Sequence, residues 1–405
     1  MTRLIFVNRF FFPDHSATSQ ILSDLTFHLA AAGHEVHVLS SRQIYDEPDA
    51  DLPRYETING VNVHRIASTR FGRLALPGRA LDYLSFYQSV RRHLTAVARA
   101  SDIVVVKTDP PLLSIAIEAT ARRRGTRLVN WLQDIYPETA TVLGVPLIRG
   151  PVGATLGALR NRALRRADAN VVVGELMARR IETSGVAAAR VHVIANRCDE
   201  ATIRPMALAD NPLREAWQLA DKFVVGYSGN LGRAHDFETV LAAAERLRNE
   251  KRIVFLMIGG GKRFEDLVIA VKMRGLEDSF RFRTYQDRAM LPYSLGVADV
   301  HWLSLHPRLE GLIVPSKFYG IAAAGRPIVM IGDGDGEIAR LVRQHRCGIT
   351  IAPGDATTLA DTLRHWSEAP EALAEMGARA RQMLDTRFTR RRALEQWSRL
   401  LEQLL

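Results

Sequence analysis

A chain of 405 residues, 47% apolar and 24% charged, has the composition of a globular protein with room for two cores, which excludes a disordered or fibrous one. Its net charge of +10 favours an acidic partner, whether a nucleotide-bearing substrate, nucleic acid or an anionic membrane surface, without choosing among them. Two cysteines far apart, Cys198 and Cys347, argue against a disulfide framework or a structural zinc site and suit a reducing cytosol.

The first segment, MTRLIFVNRFFFP, lacks the apolar h-region and cleavage site of a signal peptide. No window approaches the ~20 apolar residues of a membrane span. Residues 4–8 read as a buried strand and 18–32 as a helix, and GHEVHVLSS supplies a glycine stop and a second strand. SDIVVVKTDPP is a strand ending in a polar loop, LLSIAIEATARRRG a helix, and TRLVNWLQDIYPE a strand running into a loop. ADANVVVG and VHVIANRCD are strands later in the same half. The pattern then restarts with KFVVGYSGNLG, the helix DFETVLAAAERLRN, the strand IVFLMIGGG, the helix FEDLVIAVKMRG and the strands FRFRTY and ADVHWLSL. After these come EGLIVPSKFYGIAAAGRP, the strand PIVMIG, the helix GEIARLVRQHR and the strand CGITIAP. Apolar strands alternating with amphipathic helices predict parallel, doubly wound sheets. The restart predicts two Rossmann-like domains, 1–198 and 221–387, joined by a linker at 199–220 with proline and turn chemistry. A last amphipathic helix, within 388–405, is expected to pack back on the first domain.

Ligands of open parallel sheets sit outside the carboxyl ends of the strands, so the strand-end loops carry the candidates. In 310–327, Ser316 is expected to cap a helix over 317–324 that ends at Gly325. An anion at that helix N-terminus, with Glu310 and Lys317 beside it, competes with an ordinary capped helix. YSGNLGRAHD offers Gly229, Asn230, Gly232 and Arg233 for a phosphate ahead of another helix N-terminus, although neither the P-loop nor the dinucleotide spacing is met. The loops IGGGKR, SLHPRLEG and GDGDGE add Gly259, Arg308, Gly311, Leu312 and Glu337. In the first half, Asp134 and Glu138 follow a buried strand and can accept protons or bind hydroxyls. Asp14, His15, Ser16 and Thr18 occupy the first loop. Helix-terminal acids and a solvated histidine remain the plain alternatives. Two arginine-rich apolar segments, 70–94 and 147–168, suit an anionic leaflet or, equally, a solvated helix face.

With these segments in this order, the chain resembles the retaining family 4 glycosyltransferases of the GT-B fold, and especially the bacterial branch that builds O-antigen, capsule and colanic-acid-type polysaccharides. The resemblance rests on FFPDHSAT, GHEVHVLSS, QDIYPE, VIANRCD, GYSGNLGRAHDFETVLAA, FLMIGGG, GLIVPSKFYGIAAAGRP and GEIARLVRQHRCGITIAPGD. It implies two doubly wound α/β domains facing a central cleft, with the acceptor on the first and a nucleotide-sugar donor on the second. It further implies transfer of a hexose, N-acetylated and deoxy hexoses included, from a UDP-sugar to a lipid-linked saccharide. No cofactor and no bound metal are implied. The diphosphate turn falls on Gly229–Arg233 and the first carboxylate of the E-x7-E motif on Glu310. Asp134, Glu310 and Lys317 are the catalytic candidates it leaves.

Departures from the family pattern are equally specific. Gly320 stands where the second Glu is usual, and Glu337, at the start of the next helix, could supply the missing carboxylate. Asn230 and His235 stand where the diphosphate turn usually carries Arg and Lys, so cationic help falls to Lys317 and Arg233. Gln133-Asp134 replaces a His-Asp pair, and Ser16-Ala17-Thr18 a Gly-Gly. The expected setting is cytoplasmic, peripheral at the inner face of the bacterial cell membrane. A nucleotide-sugar epimerase of the same fold is the rival enzyme. A nucleic-acid-binding protein is the rival outside enzymes, but no basic-aromatic recognition module supports nucleic acid as a partner.

Overall fold

In the computed structural model, which describes residues 2–405 apart from 46, 48 and 73–75, the chain divides into two compact units. The first comprises 1–194 with 394–405, and the second 195–393. The strands of the first are β1 (Arg3–Val7), β2 (Glu35–Ser41), β3 (Tyr55–Ile58), β4 (Val61–Ile66), β5 (Ile103–Lys107), β6 (Arg127–Leu132), β7 (Ala169–Val172) and β8 (Val191–Val193). Those of the second are β9 (Phe223–Asn230), β10 (Ile253–Gly260), β11 (Phe280–Arg283), β12 (Val300–Ser304), β13 (Ile328–Ile331) and β14 (Gly348–Ile351).

The first sheet has the order β3-β4-β2-β1-β5-β6-β7-β8 and the second β11-β10-β9-β12-β13-β14. All neighbours pair in parallel except the β3–β4 hairpin. Helices on both faces bury the central strands completely, which is why β1, β5 and β12 are apolar runs with no alternation. Strand order reverses between β1 and β5 in one sheet and between β9 and β12 in the other. At those switch points the loops diverge and leave a crevice for a ligand.

Three details differ from the sequence expectation. The hairpin β3–β4 lies in a stretch with no strand predicted, although its turn, Asn59-Gly60 with φ of 48° and 80°, is a local hairpin signal. Residues 199–220, read as a linker, pack into the second unit. Leu213 and Leu219 join its core, and the Arg214 guanidinium donates to the carbonyls of Val297 and Leu219. The strand expected through VHVIANRCD is only three residues long. The last helix, Arg390–Gln403, places Trp397 on Trp131 of the first unit, ring centroids 4.5 Å apart.

The hairpin also creates a histidine stack. His37 of β2, His64 of β4 and His93 of the helix Leu76–Val97 lie with ring centroids 5.3 and 5.1 Å apart, beside Tyr55, Glu35 and Arg3. Burial, then the neighbouring His93, His37 and Arg3, lower the His64 pKa to about 4. The folded protein therefore binds fewer protons here than the unfolded chain, and stability falls as pH drops from about 6.5 towards 4. We expect the melting temperature to decline between pH 7 and 5, and His64→Phe to flatten that decline. An equal decline in the variant would contradict the assignment.

Candidate functional site

In the second unit Lys317 and His235 meet beside the carboxyl ends of β9 and β12. The last residues of β9 pair with those of β10 in register, Gly229 with Gly259 and Asn230 with Gly260. The chain then turns, with the Leu231 N–H donating to Gly260 O at 2.7 Å. Gly229 has φ of +125°, and a Cβ there would lie 2.8 Å from Cε of Lys317. The positive φ is what favours glycine here, and its lack of a side chain leaves room for the lysine stem on the strand end. A Cβ at Gly232 would meet nothing within 4 Å, so the turn has open space above it.

Lys317 opens the short helix Lys317–Ala323. Its ammonium is 3.2 Å from Nε2 of His235 and 5.3 Å from the centroid of the Tyr227 ring. Burial lowers its pKa to about 8. His235 is held from the other side, with Nδ1 2.7 Å from Ser304 O, and burial followed by the Lys317 charge lowers its pKa to about 4. The ring is therefore neutral near pH 7 while the lysine is charged. A half-buried cation against a glycine turn is suited to an anion that approaches from the open side.

Glu310 stands at a second helix start. One carboxylate oxygen, Oε2, accepts from the Glu337 N–H at 3.1 Å, at the first residue of the helix Glu337–His345. The other, Oε1, is buried without a hydrogen-bond partner. A Cβ at Gly336 would lie 2.2 Å from Oε1, so that glycine is required by close approach. Burial, opposed by the Glu337 N–H and reinforced by Asp333 and Glu337, raises the Glu310 pKa to about 7. An orphaned acceptor with a raised pKa marks a carboxylate prepared for a donor group that the protein does not itself supply.

Other expected site residues fall into place unevenly. Ser316 is exposed, has helical backbone angles and makes no capping bond. The helix it was expected to cap spans only seven residues, so the positive charge here is the Lys317 side chain and not a helix terminus. The helix after the glycine turn, Glu238–Arg246, has its first N–H taken by Asp236 Oδ1 at 2.9 Å, which removes it as an anion site. The small-residue helix Lys317–Ala323 packs tightly on the helix Pro370–Arg387, where a Cβ at Gly377 would lie 2.1 Å from Gly325 O. Arg233, Asn230 and Arg308 are exposed. Leu312 is a core residue whose N–H is committed to Leu309 O, so it offers a ligand neither its side chain nor its donor, and Gly311 adopts φ of +71° beside it. Glu337 lies close enough to Glu310 for their charges to interact.

The first-unit candidates form a separate group, at the carboxyl ends of β1, β5 and β6. Asp14 is buried and accepts from the Ser16 N–H, the Ser16 hydroxyl and the Tyr45 N–H, so it holds the first loop in shape. His15 is exposed. Thr18 reaches Asp109 at 3.4 Å, and its carbonyl accepts from the buried Lys107 ammonium at 3.0 Å. Burial, then Asp109, raises the Asp134 pKa to about 6. Glu138 pairs through Oε1 with buried Arg160 at 2.6 Å, while its Oε2 is buried without a hydrogen-bond partner. Arg160 therefore does not belong to the solvated face expected of 147–168, whereas Arg162, Arg165 and Arg166 do. Asp109 and His235 were missed as site residues. Only the strand-end loops containing them were legible, because burial and ring contacts leave no mark on sequence spacing.

Among the described residues no group of three or more His, Cys, Asp or Glu side chains is placed to hold a metal ion, and no helix is long and apolar enough to cross a membrane. Residues 17–197 match the family described as Glycosyl transferase 4-like domain, and 211–383 match Glycosyl transferases group 1. The chain is 29% identical over 336 residues to a probable glycosyltransferase, WbjE, of Pseudomonas aeruginosa, covering 82% of each chain. It is 27% identical to a putative colanic acid biosynthesis glycosyl transferase, WcaI, of Escherichia coli, covering 81% of this chain and 83% of that one. Its fold is similar to that of HepE of Anabaena, solved in complex with UDP, with a TM-score of 0.74 at 15% identity over the whole of both chains. The paired family matches in this order, on two doubly wound parallel sheets, place the chain in the family 4 glycosyltransferases of the GT-B fold.

Proposed function

We propose that this glycosyltransferase moves a hexosyl group, with retention, from a UDP-sugar to a lipid-linked saccharide in the assembly of a bacterial surface polysaccharide. The observation that carries the donor half is the half-buried Lys317 side chain, packed on the Gly229 turn at the switch point of the second sheet. There it would neutralise charge on the departing diphosphate, the contribution that often dominates in such transfers. Glu310, with its unpaired Oε1, would accept from a hydroxyl of the sugar or ribose. The nucleotide choice is supported by the similarity to HepE, solved with UDP, and the pathway by the relationship to WcaI.

For the acceptor, Asp134 is a first-unit carboxylate whose pKa is raised by burial and by Asp109, itself a carboxylate whose pKa burial raises. The leaving phosphate can take the acceptor proton, so Asp134 need only orient the hydroxyl. Peripheral membrane contact is supported by exposed Phe71 and Leu84, 64% and 60% accessible, on a segment that also carries Arg70, Arg91 and Arg92.

A thermal-shift series with UDP, GDP and dTDP tests the donor reading. UDP at a hundred times its Kd should stabilise the protein by about 2.7 kcal/mol, with smaller shifts from the other two. No shift from any of the three would sink the proposal.

A further inference from the structure

Lys317 comes from a helix, not from the glycine turn, so something must keep its flexible four-carbon stem aimed at that turn. The stem lies on Gly229 and the ammonium over Tyr227, but neither contact fixes the ammonium's direction. His235 does. A carbonyl oxygen only accepts, so the 2.7 Å contact with Ser304 O requires that Nδ1 carry the ring proton. Nε2 is then a lone pair, and it faces the Lys317 ammonium at 3.2 Å. The histidine backbone is itself anchored, since its carbonyl accepts from Arg263 Nη1 at 3.1 Å and its N–H donates to Gly232 O. Ser304 is the last residue of β12 and its hydroxyl accepts from the Asp236 N–H. The position of Lys317 is thereby tied through a single imidazole to the end of a central strand.

We infer that His235 is a positioning residue that, locked as its Nδ1–H tautomer by Ser304 O, accepts a hydrogen bond from Lys317 and directs that ammonium at the donor diphosphate. This rests on the reading of Lys317 as the diphosphate cation. A cation in this place would raise the energy of a protonated imidazole, and the low pKa of His235 agrees with a ring kept neutral as an acceptor. The groups facing the pair are the Tyr227 ring from β9, Tyr285 beside that ring and Arg263 on the His235 carbonyl. None of these is an acid, so the imidazole is the acceptor available to the ammonium until a ligand arrives.

Two substitutions separate this role from a structural one. His235→Gln keeps an acceptor near the place of Nε2, and His235→Asn keeps only the donor to Ser304. Measured with UDP by calorimetry at pH 7, His235→Gln should bind within roughly threefold of wild type, while His235→Asn should lose about tenfold, as expected for one misdirected charge-assisted contact. Wild-type affinity should weaken above pH 8 as Lys317 loses its proton. In His235→Asn that limb should move towards neutral pH, because the ammonium has lost an acceptor, and in His235→Gln it should stay. The opposite order, with Asn tight and Gln weak, assigns His235 to holding β12 and overturns the inference. A weakened Lys317→Ala beside an unweakened His235→Asn overturns it alone, whereas unchanged UDP binding in Lys317→Ala overturns the donor-site reading and the inference with it. The wild-type protein supplies a readout independent of any variant's folding: the ring 15N shifts should report Nδ1–H between pH 5 and 8. An Nε2–H tautomer cannot accept from Lys317 and would refute the role.

Discussion

Lys317→Ala should raise the KM for the UDP-sugar and lower kcat, for a combined loss in kcat/KM of about 10- to 150-fold, equivalent to about 1.5–3 kcal/mol for one charge-assisted contact. The argument is geometric before it is electrostatic. The half-buried ammonium lies between the Tyr227 ring and His235, with its stem against Gly229, so counterions and water screen it less than a surface charge. Its lowered pKa, about 8, leaves it charged at pH 7 and adds an alkaline limb to the wild-type profile that the alanine variant should lack. Lys317→Arg should rescue only in part, since a planar fork does not fit where a compact ammonium sits beside a glycine turn. Steady-state kinetics from pH 6 to 9 check all three statements, and unchanged constants in the alanine variant would refute the assigned role.

Glu310→Gln should lower kcat/KM for the sugar donor by a similar one to two orders of magnitude while raising the melting temperature at pH 8. The amide oxygen can still accept from the Glu337 N–H, so the local fold survives and the loss isolates the charge. The stability gain follows from linkage. The Glu310 carboxyl has a pKa raised from its ordinary 4.5 to about 7, so the folded state binds more protons than the unfolded one between those values. Its contribution is favourable below pH 4.5 and is lost as pH rises through 7. Removing the ionisable group removes that loss, and function and stability trade against each other at this position. Wild-type kcat/KM should accordingly fall below pH 7 as the carboxylate is protonated, with no such limb in Glu310→Gln. A variant that is both less active and less stable at pH 8 would show instead that Glu310 serves the fold.

Glu310, Lys317 and the Gly229 turn all follow apolar strands of the second half, and the strand-end rule marks their loops as candidates. Two sources of positive field were open in the sequence, the helix termini, one of which Ser316 would cap, and the cations Lys317 and Arg233. In the structure Ser316 makes no cap, the seven-residue helix is too short to matter, and Asp236 already occupies the start of the longer one. Capping competition of this kind depends on which side chain reaches which N–H, and residue type at a given spacing does not decide it. Glu138 shows the same limit: its partner Arg160 is 22 positions away, and only the packing of two helices brings them into contact.

From sequence alone came the alternation of apolar strands and amphipathic helices, the restart that makes two sheets, and the loops where ligands bind, because each is a local consequence of burial and backbone hydrogen bonding. Tertiary structure alone decided which charges are paired, which are desolvated and which face open space. Lys317 and His235 are 82 residues apart, and Glu310 and Glu337 are 27 apart. The altered pKa values of Lys317, His235 and Glu310 arise from proximity and exclusion of water, quantities that exist only once the two strand ends and their loops have been brought together.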